Sequence, residues 1–381
     1  MSDLDGGDGL LQHEELLVRR GERTGIYLVI AIQSTTLGPA LGGARLWRYH
    51  SLGDGIADAL RLSEAMTYKA AAAGLDLGGG KAVLCAPAGE DLPPELRREL
   101  MLDLGDAIES LDGRYITAED VGTSVEDMAV VAERTEHVAG KPVELGGSGD
   151  PSPITARGVE AAIRACCEHR YGSAELTGRR IGVVGLGHVG ARLAETLAED
   201  GAELLVSDID AGKRAIADRL GARWVDAGDA MTAGCEVLAP CALGGAIDER
   251  TVEQLRCEVV CGAANNVLAG DALAERLAER DVLYAPDFIA NAGGLINVYG
   301  ELHALEPERL GQLVDGVGPA VARILEAAEE RSVTPLAAAR ELALERLEAA
   351  REGPRWAQAA PRGPSPATRA PREAGPARLA A

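Results

Sequence analysis

The chain has 381 residues, too many for one ordinary hydrophobic core, which indicates about two domains. Its 38 lysines and arginines against 60 aspartates and glutamates leave a net charge of −22, which disfavours nucleic acid and anionic membranes as main partners. No apolar run is long enough for a membrane span, no secretory signal is visible, and seven cysteines without a Cys-x-x-Cys pair favour reduced thiols, so we expect a cytoplasmic protein.

The first part of the chain alternates between strand and helix patterns. Strands are predicted at 25–33, near 82–85 and near 115–117, and helices at about 55–73, 94–111 and from Ser124 onward. This alternation indicates an α/β domain over residues 1–146. The segment 145–153 is rich in Gly, Ser and Pro and is predicted to be a linker or hinge.

The next part alternates more regularly. Helices are predicted at about 155–171 and 189–200, with strands at 180–184, 203–207, and near 235–238, 258–261 and 282–284. These units predict a doubly wound parallel sheet, a Rossmann domain over residues 147–332, with a cleft between the two α/β domains. Long helical patterns follow at about 306–331 and 335–351, and the helix at about 333–352 is expected to pack back on the first domain. Residues 353–381 are too rich in Pro, Ala and Arg to pack, and are interpreted as a disordered tail.

A dinucleotide motif opens this second domain. Gly185, Gly187 and Gly190 form G-x-G-x-x-G directly after the strand Ile181–Val184 and at the start of a helix. Such glycines permit a tight turn, close approach to a pyrophosphate, and close packing of helix on strand. Asp208 ends the next strand, where a carboxylate would bind the ribose 2′-hydroxyl and repel a 2′-phosphate. The motif therefore favours NAD over NADP, with a chance glycine turn as the alternative.

The chemistry is expected where lysine and glycine coincide. Of the four lysines in the chain, Lys69 and Lys81 lie twelve residues apart, near Leu41-Gly-Gly43 and the run 78–80 of three glycines. Glycine amides can approach a small anion, and two ammonium groups in one cleft should lower at least one pKa. Asp120 follows a predicted strand, a usual position for an acid or base. The alternatives are surface ion pairs for the lysines and a helix N-cap for Asp120.

These segments resemble a known family. The chain contains, in order, TTLGPALGGARLW, MTYKAAAAGLDLGGGKAV, YITAEDVGTSVEDM, GDPSPITARGV, GLGHVG, APCALGG, GAANNVL and YAPDFIANAGGLINV. Over about residues 10–350 it is similar to the Glu/Leu/Phe/Val amino-acid dehydrogenases, most of all to the leucine and valine enzymes. The resemblance implies reversible, NAD-dependent oxidative deamination of an L-amino acid to a 2-oxo acid and ammonia. It also implies a homo-oligomer built through the first domain.

The resemblance further implies a role for each matching residue. Lys69, with the backbone around Gly43, would hold the substrate α-carboxylate, and neutral Lys81 would help to activate the water that attacks the imine. Asp120 would carry protons to and from the amino nitrogen, which Asn265 would also contact as an acceptor. The residues implied to serve the dinucleotide are Gly185, Gly187, Gly190, Asp208, Thr155, Asn291, Ala242 and Leu243. No metal site is expected, because Cys257 and Cys261 have no partners that complete a zinc set.

Four positions are implied to surround the substrate side chain, and all are apolar: Leu41, Ala118, Leu295 and Val298. A side-chain carboxylate would lie unpaired among them, so glutamate should be rejected and a branched-chain aliphatic substrate (leucine, valine or isoleucine) is favoured. Phenylalanine or another apolar or aromatic amino acid is the alternative. A catalytically retired NAD-binding regulatory subunit is a second alternative, which the retained lysine–lysine–aspartate set disfavours.

Overall fold

A computed structural model of the chain describes residues 13–87 and 92–352. The structure contains two β-sheets, one formed before residue 120 and the other formed between residues 180 and 284. The tail predicted at 353–381 lies outside the described residues. In the described part of the chain, no helix is long and apolar enough to cross a membrane.

The first sheet is mixed. Its five strands lie in the order β1-β2-β4-β3-β5; β2 runs antiparallel to both of its neighbours, β1 and β4, whereas β3 is parallel to both β4 and β5. The strands are β1 (Glu15–Arg20), β2 (Tyr27–Ser34), β3 (Ala40–Trp47), β4 (Gly78–Cys85) and β5 (Tyr115–Glu119). Sequence reasoning missed β1 and β3, because β1 carries charges at both ends and β3 contains two glycines.

Both faces of this sheet are covered. The helices are α1 (Leu52–Ala72), α2 (Pro94–Glu109) and α3 (Val125–Val131). Alternate residues of β2 point to opposite faces, so Leu28 and Ile30 pack with α2, whereas Val29 and Ala31 pack with α1. Ser124 caps α3 in a capping box with Asp127, at the residue where the sequence predicts a helix to begin.

The glycine run at 78–80 is part of strand β4, which begins earlier than the strand predicted near 82–85. A Cβ on Gly79 would lie 2.2 Å from the backbone nitrogen of Thr67 in α1, and one on Gly80 would lie 2.6 Å from the ring of Tyr115. The missing side chains thus let a helix and an aromatic ring pack directly against β4. The consequence is a short distance between α1, which carries Lys69, and β4, which carries Lys81.

The second sheet is wholly parallel, with the order β11-β10-β9-β6-β7-β8. Read from β8, this is the order of a Rossmann fold, as predicted. The strands are β6 (Arg180–Val184), β7 (Glu203–Ser207), β8 (Arg223–Trp224), β9 (Val237–Pro240), β10 (Val259–Val260) and β11 (Leu283–Tyr284). The helices up to β11 are α4 (Ser152–Tyr171), α5 (His188–Glu199), α6 (Arg214–Leu220), α7 (Glu249–Gln254) and α8 (Leu273–Glu279).

Five helices close the described chain: α9 (Asp287–Ala290), α10 (Gly293–Leu302), α11 (Pro307–Asp315), α12 (Val317–Arg331) and α13 (Pro335–Glu352). The single helix predicted at 306–331 is wrong: it divides at Gly316, because Pro319 has no N–H to donate to the preceding turn. Helix α13 returns to the first sheet, where Ala343 and Leu347 pack against Ala71 of α1.

Candidate active site

A cavity of about 410 Å³ lies between the two sheets. Its walls come from β3, β4, β5 and α1 on one side, and from the connecting segment 140–151, α4, α9 and α10 on the other. Eleven of the residues singled out from the sequence line it together: Lys69, Lys81, Asp120, Gly43, Asn265, Leu41, Ala118, Leu295, Val298, Thr155 and Asn291.

Lys81 and Asp120 form an ion pair in this cavity. The Lys81 Nζ lies 2.8 Å from Asp120 Oδ2, and the lysine side chain is only 6% exposed. Burial lowers the pKa of Lys81, and the facing carboxylate offsets this only in part. Burial alone would raise the pKa of Asp120, but Lys81 and Arg45 outweigh it and hold that pKa below its usual value. The pair thus combines a lysine poised to lose its proton with a carboxylate kept ionised.

Lys69 joins the two halves of the cleft. Its Nζ donates to Asn291 Oδ1 at 2.6 Å, and Asn291 Nδ2 donates in turn to Asn265 Oδ1 at 2.8 Å. Burial lowers the pKa of Lys69 to about 8; Asp287 opposes the shift and Lys81 adds to it. The lowered pKa was predicted from the nearness of the two lysines, but burial is the larger cause.

Asn265 differs from its implied role in one respect. Its side-chain oxygen already accepts a hydrogen bond from Asn291, which is held by the backbone oxygens of Ala263 and Ala264 as well. A substrate amine would have to share that oxygen, which has a second lone pair for it. The asparagine pair is therefore a rigid unit that spans from Lys69 to the loop after β10.

The glycine turn after β6 fits a dinucleotide. Gly185 has φ +103°, and a Cβ there would lie 2.8 Å from Ala242, whereas a Cβ on Gly190 would lie 1.9 Å from Gly185 O. The space beside Gly187 is open, with no atom within 4 Å of an added Cβ, so a phosphate can approach the start of α5. Asp208 accepts from the Leu186 amide at 2.7 Å, which fixes its carboxylate beside the turn.

Two apolar side chains stand exposed near this turn, Ile209 at 93% and Leu243 at 80%. Exposed apolar side chains on either side of a phosphate site suit the flat faces of a nucleotide base. These residues, with Gly185, Gly187, Gly190, Asp208 and Ala242, lie outside the lining of the cavity, but Val189 of α5 belongs to it. The dinucleotide turn therefore leads directly into the cleft.

Sequence reasoning missed the ionic network behind Asp120. Arg45 of β3 donates through Nε to Asp120 Oδ2 at 3.0 Å and through a terminal nitrogen to Asp58 Oδ2 at 3.1 Å. A signal was present: Leu41, Gly43 and Arg45 alternate along one strand, so all three reach the same face. Gly43 is itself needed there, because a Cβ would lie 2.7 Å from the Cβ of Asp120.

The connecting segment 140–151 is held to α10 by a carboxylate that the sequence did not single out. Glu301 Oε2 accepts from the Gly140 amide at 3.2 Å and from the Ser148 amide and hydroxyl at 2.9 Å each. Asn297 adds a bond to the Ser148 hydroxyl at 2.8 Å. Because α10 also carries Leu295, these bonds couple the connection to the apolar wall of the cavity.

A dinucleotide turn that opens toward a cleft with one buried and one partly buried lysine suits the passage of a hydride between a nucleotide and a small anion. The class defined by fold and site is that of the NAD-dependent oxidoreductases. Within that class, family models match the chain twice: the Glu/Leu/Phe/Val dehydrogenase dimerisation domain over residues 15–137, and Glutamate/Leucine/Phenylalanine/Valine dehydrogenase over residues 208–353. The chain belongs to this family and is an amino-acid dehydrogenase.

Individual relatives carry several substrate names. The chain is 44% identical over 338 residues to a leucine dehydrogenase of Bacillus subtilis, covering 88% of this chain and 92% of the relative. It is 42% identical to a valine dehydrogenase of Streptomyces virginiae, with 89% and 95% covered, and 40% identical to a phenylalanine dehydrogenase of Caldalkalibacillus thermarum, with 90% and 93% covered. The crystal structure of L-tryptophan dehydrogenase from Nostoc punctiforme is similar with a TM-score of 0.80 and 37% identity, covering 90% of this chain and 98% of that one.

Proposed function

We propose that the chain catalyses the reversible oxidative deamination of a branched-chain aliphatic L-amino acid to the 2-oxo acid and ammonia, with water and NAD consumed. The observation that carries the substrate class is that four apolar residues, Leu41, Ala118, Leu295 and Val298, line the same cavity as the two lysines and Asp120. Bound NAD supplies the acceptor for the hydride that leaves the substrate α-carbon.

Lys69 binds the α-carboxylate in this proposal. Its contact in the cleft is with a neutral group, Asn291, and among residues 13–87 and 92–352 no carboxylate forms an ion pair with it within 4 Å. The Gly43 backbone lies at the same wall, where the absence of a side chain allows a small anion to approach. The α-carboxylate then completes the charge balance of a site that holds two lysines.

Lys81 and Asp120 handle the protons. Asp120 takes a proton from the substrate ammonium before the hydride leaves, and returns it to the nitrogen when ammonia departs. Lys81, in its neutral form, takes a proton from the water that attacks the imine carbon; after it releases this proton to solvent, it takes the remaining hydroxyl proton as the carbonyl forms and ammonia departs. Their contact of 2.8 Å gives a proton a direct path between the two side chains. Because burial lowers the pKa of Lys81, deamination should become faster toward alkaline pH.

Competing substrates are judged by charge and size. In the described part of the cavity lining, the cations are Lys69, Lys81 and Arg45; Lys69 is assigned to the α-carboxylate, and Lys81 and Arg45 both contact Asp120, so none is left for a second carboxylate. Burying that carboxylate unpaired costs several kcal/mol, so glutamate is excluded. Leu295 restricts the space for an aromatic ring, whereas leucine, valine and isoleucine differ by single methylenes, each worth about 1–3 kcal/mol.

The test is a panel of kcat/KM values for leucine, valine, isoleucine, phenylalanine, tryptophan and glutamate, measured by absorbance of the reduced cofactor. The proposal expects the three aliphatic substrates within about a hundredfold of one another and glutamate at the background level. Glutamate at or above leucine would overturn the pocket assignment. Leu295→Val supplies a matched variant, in which phenylalanine should improve relative to leucine by about tenfold.

A homo-oligomer built through the first sheet is part of the proposal. The family model that matches residues 15–137 is described as a dimerisation domain. Strand β1 forms one edge of that sheet, and such an edge offers unpaired backbone groups to a second copy. Light scattering at micromolar concentration tests this, and a monomer would contradict it.

A further inference from the structure

The two oxygens of the Asp120 carboxylate have different surroundings. Lys81 Nζ, at 2.8 Å, and Arg45 Nε, at 3.0 Å, both contact Oδ2. In the described part of the chain, Oδ1 accepts no hydrogen bond, and it is not among the buried atoms that lack a partner. One oxygen is therefore held by two cations, and the other stays open to the cavity that Asp120 lines.

Arg45 is itself held in place. Its terminal nitrogen donates to Asp58 Oδ2 on α1, and the same carboxylate accepts from the Tyr49 hydroxyl at 2.6 Å and from Arg61 at 2.7 Å. The side chains of Arg45 and Asp58 are 21% and 16% exposed, so the contact is largely screened from water. The guanidinium is thus fixed between β5 and α1 and cannot turn away from Asp120 without breaking both ion pairs.

The two cations on Oδ2 differ chemically. A lysine can lose its proton during the reaction, and the proposed role of Lys81 requires that it does so. Arginine stays protonated at any pH at which the protein is folded. When Lys81 is neutral, Arg45 is therefore the positive charge that remains in contact with Asp120.

We propose that Arg45 is a positioning residue for proton transfer: it holds Asp120 through Oδ2, presents Oδ1 to the substrate nitrogen, and supplies a constant counter-charge while Lys81 changes its own. The proposal rests on the proton-carrying role of Asp120. In the transfer, an N–H bond of the substrate ammonium breaks as an O–H bond forms on Oδ1, and the reverse step delivers the proton to departing ammonia.

The other charged or titratable groups near Asp120 bear on its protonation. They are Lys81 of β4, Tyr115 and the adjacent Glu119 of β5, Lys69 and Asp58 of α1, and Tyr49 before α1. Arg45→Gln removes a positive charge that lies 3.0 Å from Asp120 and that also lowers the pKa of Lys81, so both groups should keep their protons to higher pH. Since the reaction needs ionised Asp120 and neutral Lys81, the acid limb of activity should move toward higher pH.

The experiment compares Arg45→Gln and Arg45→Lys with the parent full-length enzyme, using L-leucine or the best substrate of the panel above. In Arg45→Gln, kcat should fall about a hundredfold, the acid limb of kcat should move up by about one pH unit, and the KM for NAD should stay within twofold. Arg45→Lys restores the charge and should return the limb close to its parental position, with part of kcat recovered.

A second variant and a control make the outcomes distinct. Asp58→Asn weakens the hold on Arg45 and should lower kcat in the same direction by less, with circular dichroism showing a folded chain. If the acid limb of kcat in folded Arg45→Gln stayed at the pH of the parent enzyme, or if kcat and NAD affinity fell equally, the positioning role would be overturned. If Asp120→Asn kept parental turnover, the proton-carrying role of Asp120 itself would fail, which is a separate result.

Discussion

The charged form of the partly buried Lys69 should reduce the free energy of unfolding, and Lys69→Met tests this. Burial is the largest cause that lowers the pKa of Lys69 from 10.5 to about 8. That difference corresponds to about 3 kcal/mol in favour of the uncharged form in the folded protein. A methionine fills a similar volume and has no charge to desolvate.

The sign follows from proton linkage. Above pH 10.5 the lysine is uncharged in both the folded and unfolded chain, and the penalty is absent. As the pH falls toward 8, the unfolded chain binds a proton that the folded chain does not, so the free energy of unfolding decreases. Below pH 8 both states are protonated and the penalty stays constant at about 3 kcal/mol.

The variant should therefore gain stability relative to the parent as the pH falls. Losing the 2.6 Å hydrogen bond to Asn291 costs the variant about 1–2 kcal/mol at every pH. Lys69→Met should then be less stable than the parent near pH 10.5 and more stable by about 1–2 kcal/mol at pH 7. Its turnover should be lost, because the proposed carboxylate-binding group is gone.

Urea unfolding at fixed protein concentration, at pH 7, 8.5 and 10, measures this difference. Lys213 lies outside the cavity lining, so Lys213→Met controls for the loss of one positive charge from an acidic protein. A difference between Lys69→Met and the parent that stays constant within about 0.5 kcal/mol across this range would refute the reasoning.

Three further changes test the site and the sheet. Lys81→Ala should lower turnover by about 10²–10⁴-fold while NAD binding, followed by fluorescence, persists; near-normal turnover would contradict its role as the base. Asp208→Ala should reduce the NAD-to-NADP ratio of kcat/KM, and an unchanged ratio would place the carboxylate away from the ribose. Gly79→Ala forces a Cβ to 2.2 Å from the Thr67 nitrogen and should destabilise by about 3 kcal/mol in a thermal melt, whereas Gly228→Ala, with no atom within 4 Å, should not.

The second sheet was predictable because each buried parallel strand is a short apolar run between helices, as at 180–184 and 203–207. Strand β3 was not, because ALGGARLW contains the residues that usually mark a turn. The structure explains them: a Cβ on Gly42 would lie 1.7 Å from the Gly80 oxygen of the neighbouring strand. In a sequence, glycines that let two backbones approach closely look the same as glycines that form a turn.

For the site, the resemblance identified residues but not their mutual contacts. Lys69 and Asn291 are 222 positions apart, and no periodicity connects them. Arg45 was overlooked because arginine is abundant in this chain and most arginines lie on ordinary surface positions. The main cause of the lowered pKa of Lys69 also needed coordinates. The sequence showed only that two lysines could repel each other, whereas the burial of Lys69 depends on how α1 packs.

The contact between α13 and α1 can form only late in the synthesis of the chain. Arg346 donates to the backbone oxygens of Ala71 and Leu75 at 3.0 and 2.8 Å, where the helix that carries Lys69 ends and its last carbonyls lack partners within the helix. A ribosome delivers residue 346 only after both sheets have been synthesised. The end of the helix that carries Lys69 is therefore completed last, and a nascent or prematurely terminated chain lacks these hydrogen bonds at the end of α1.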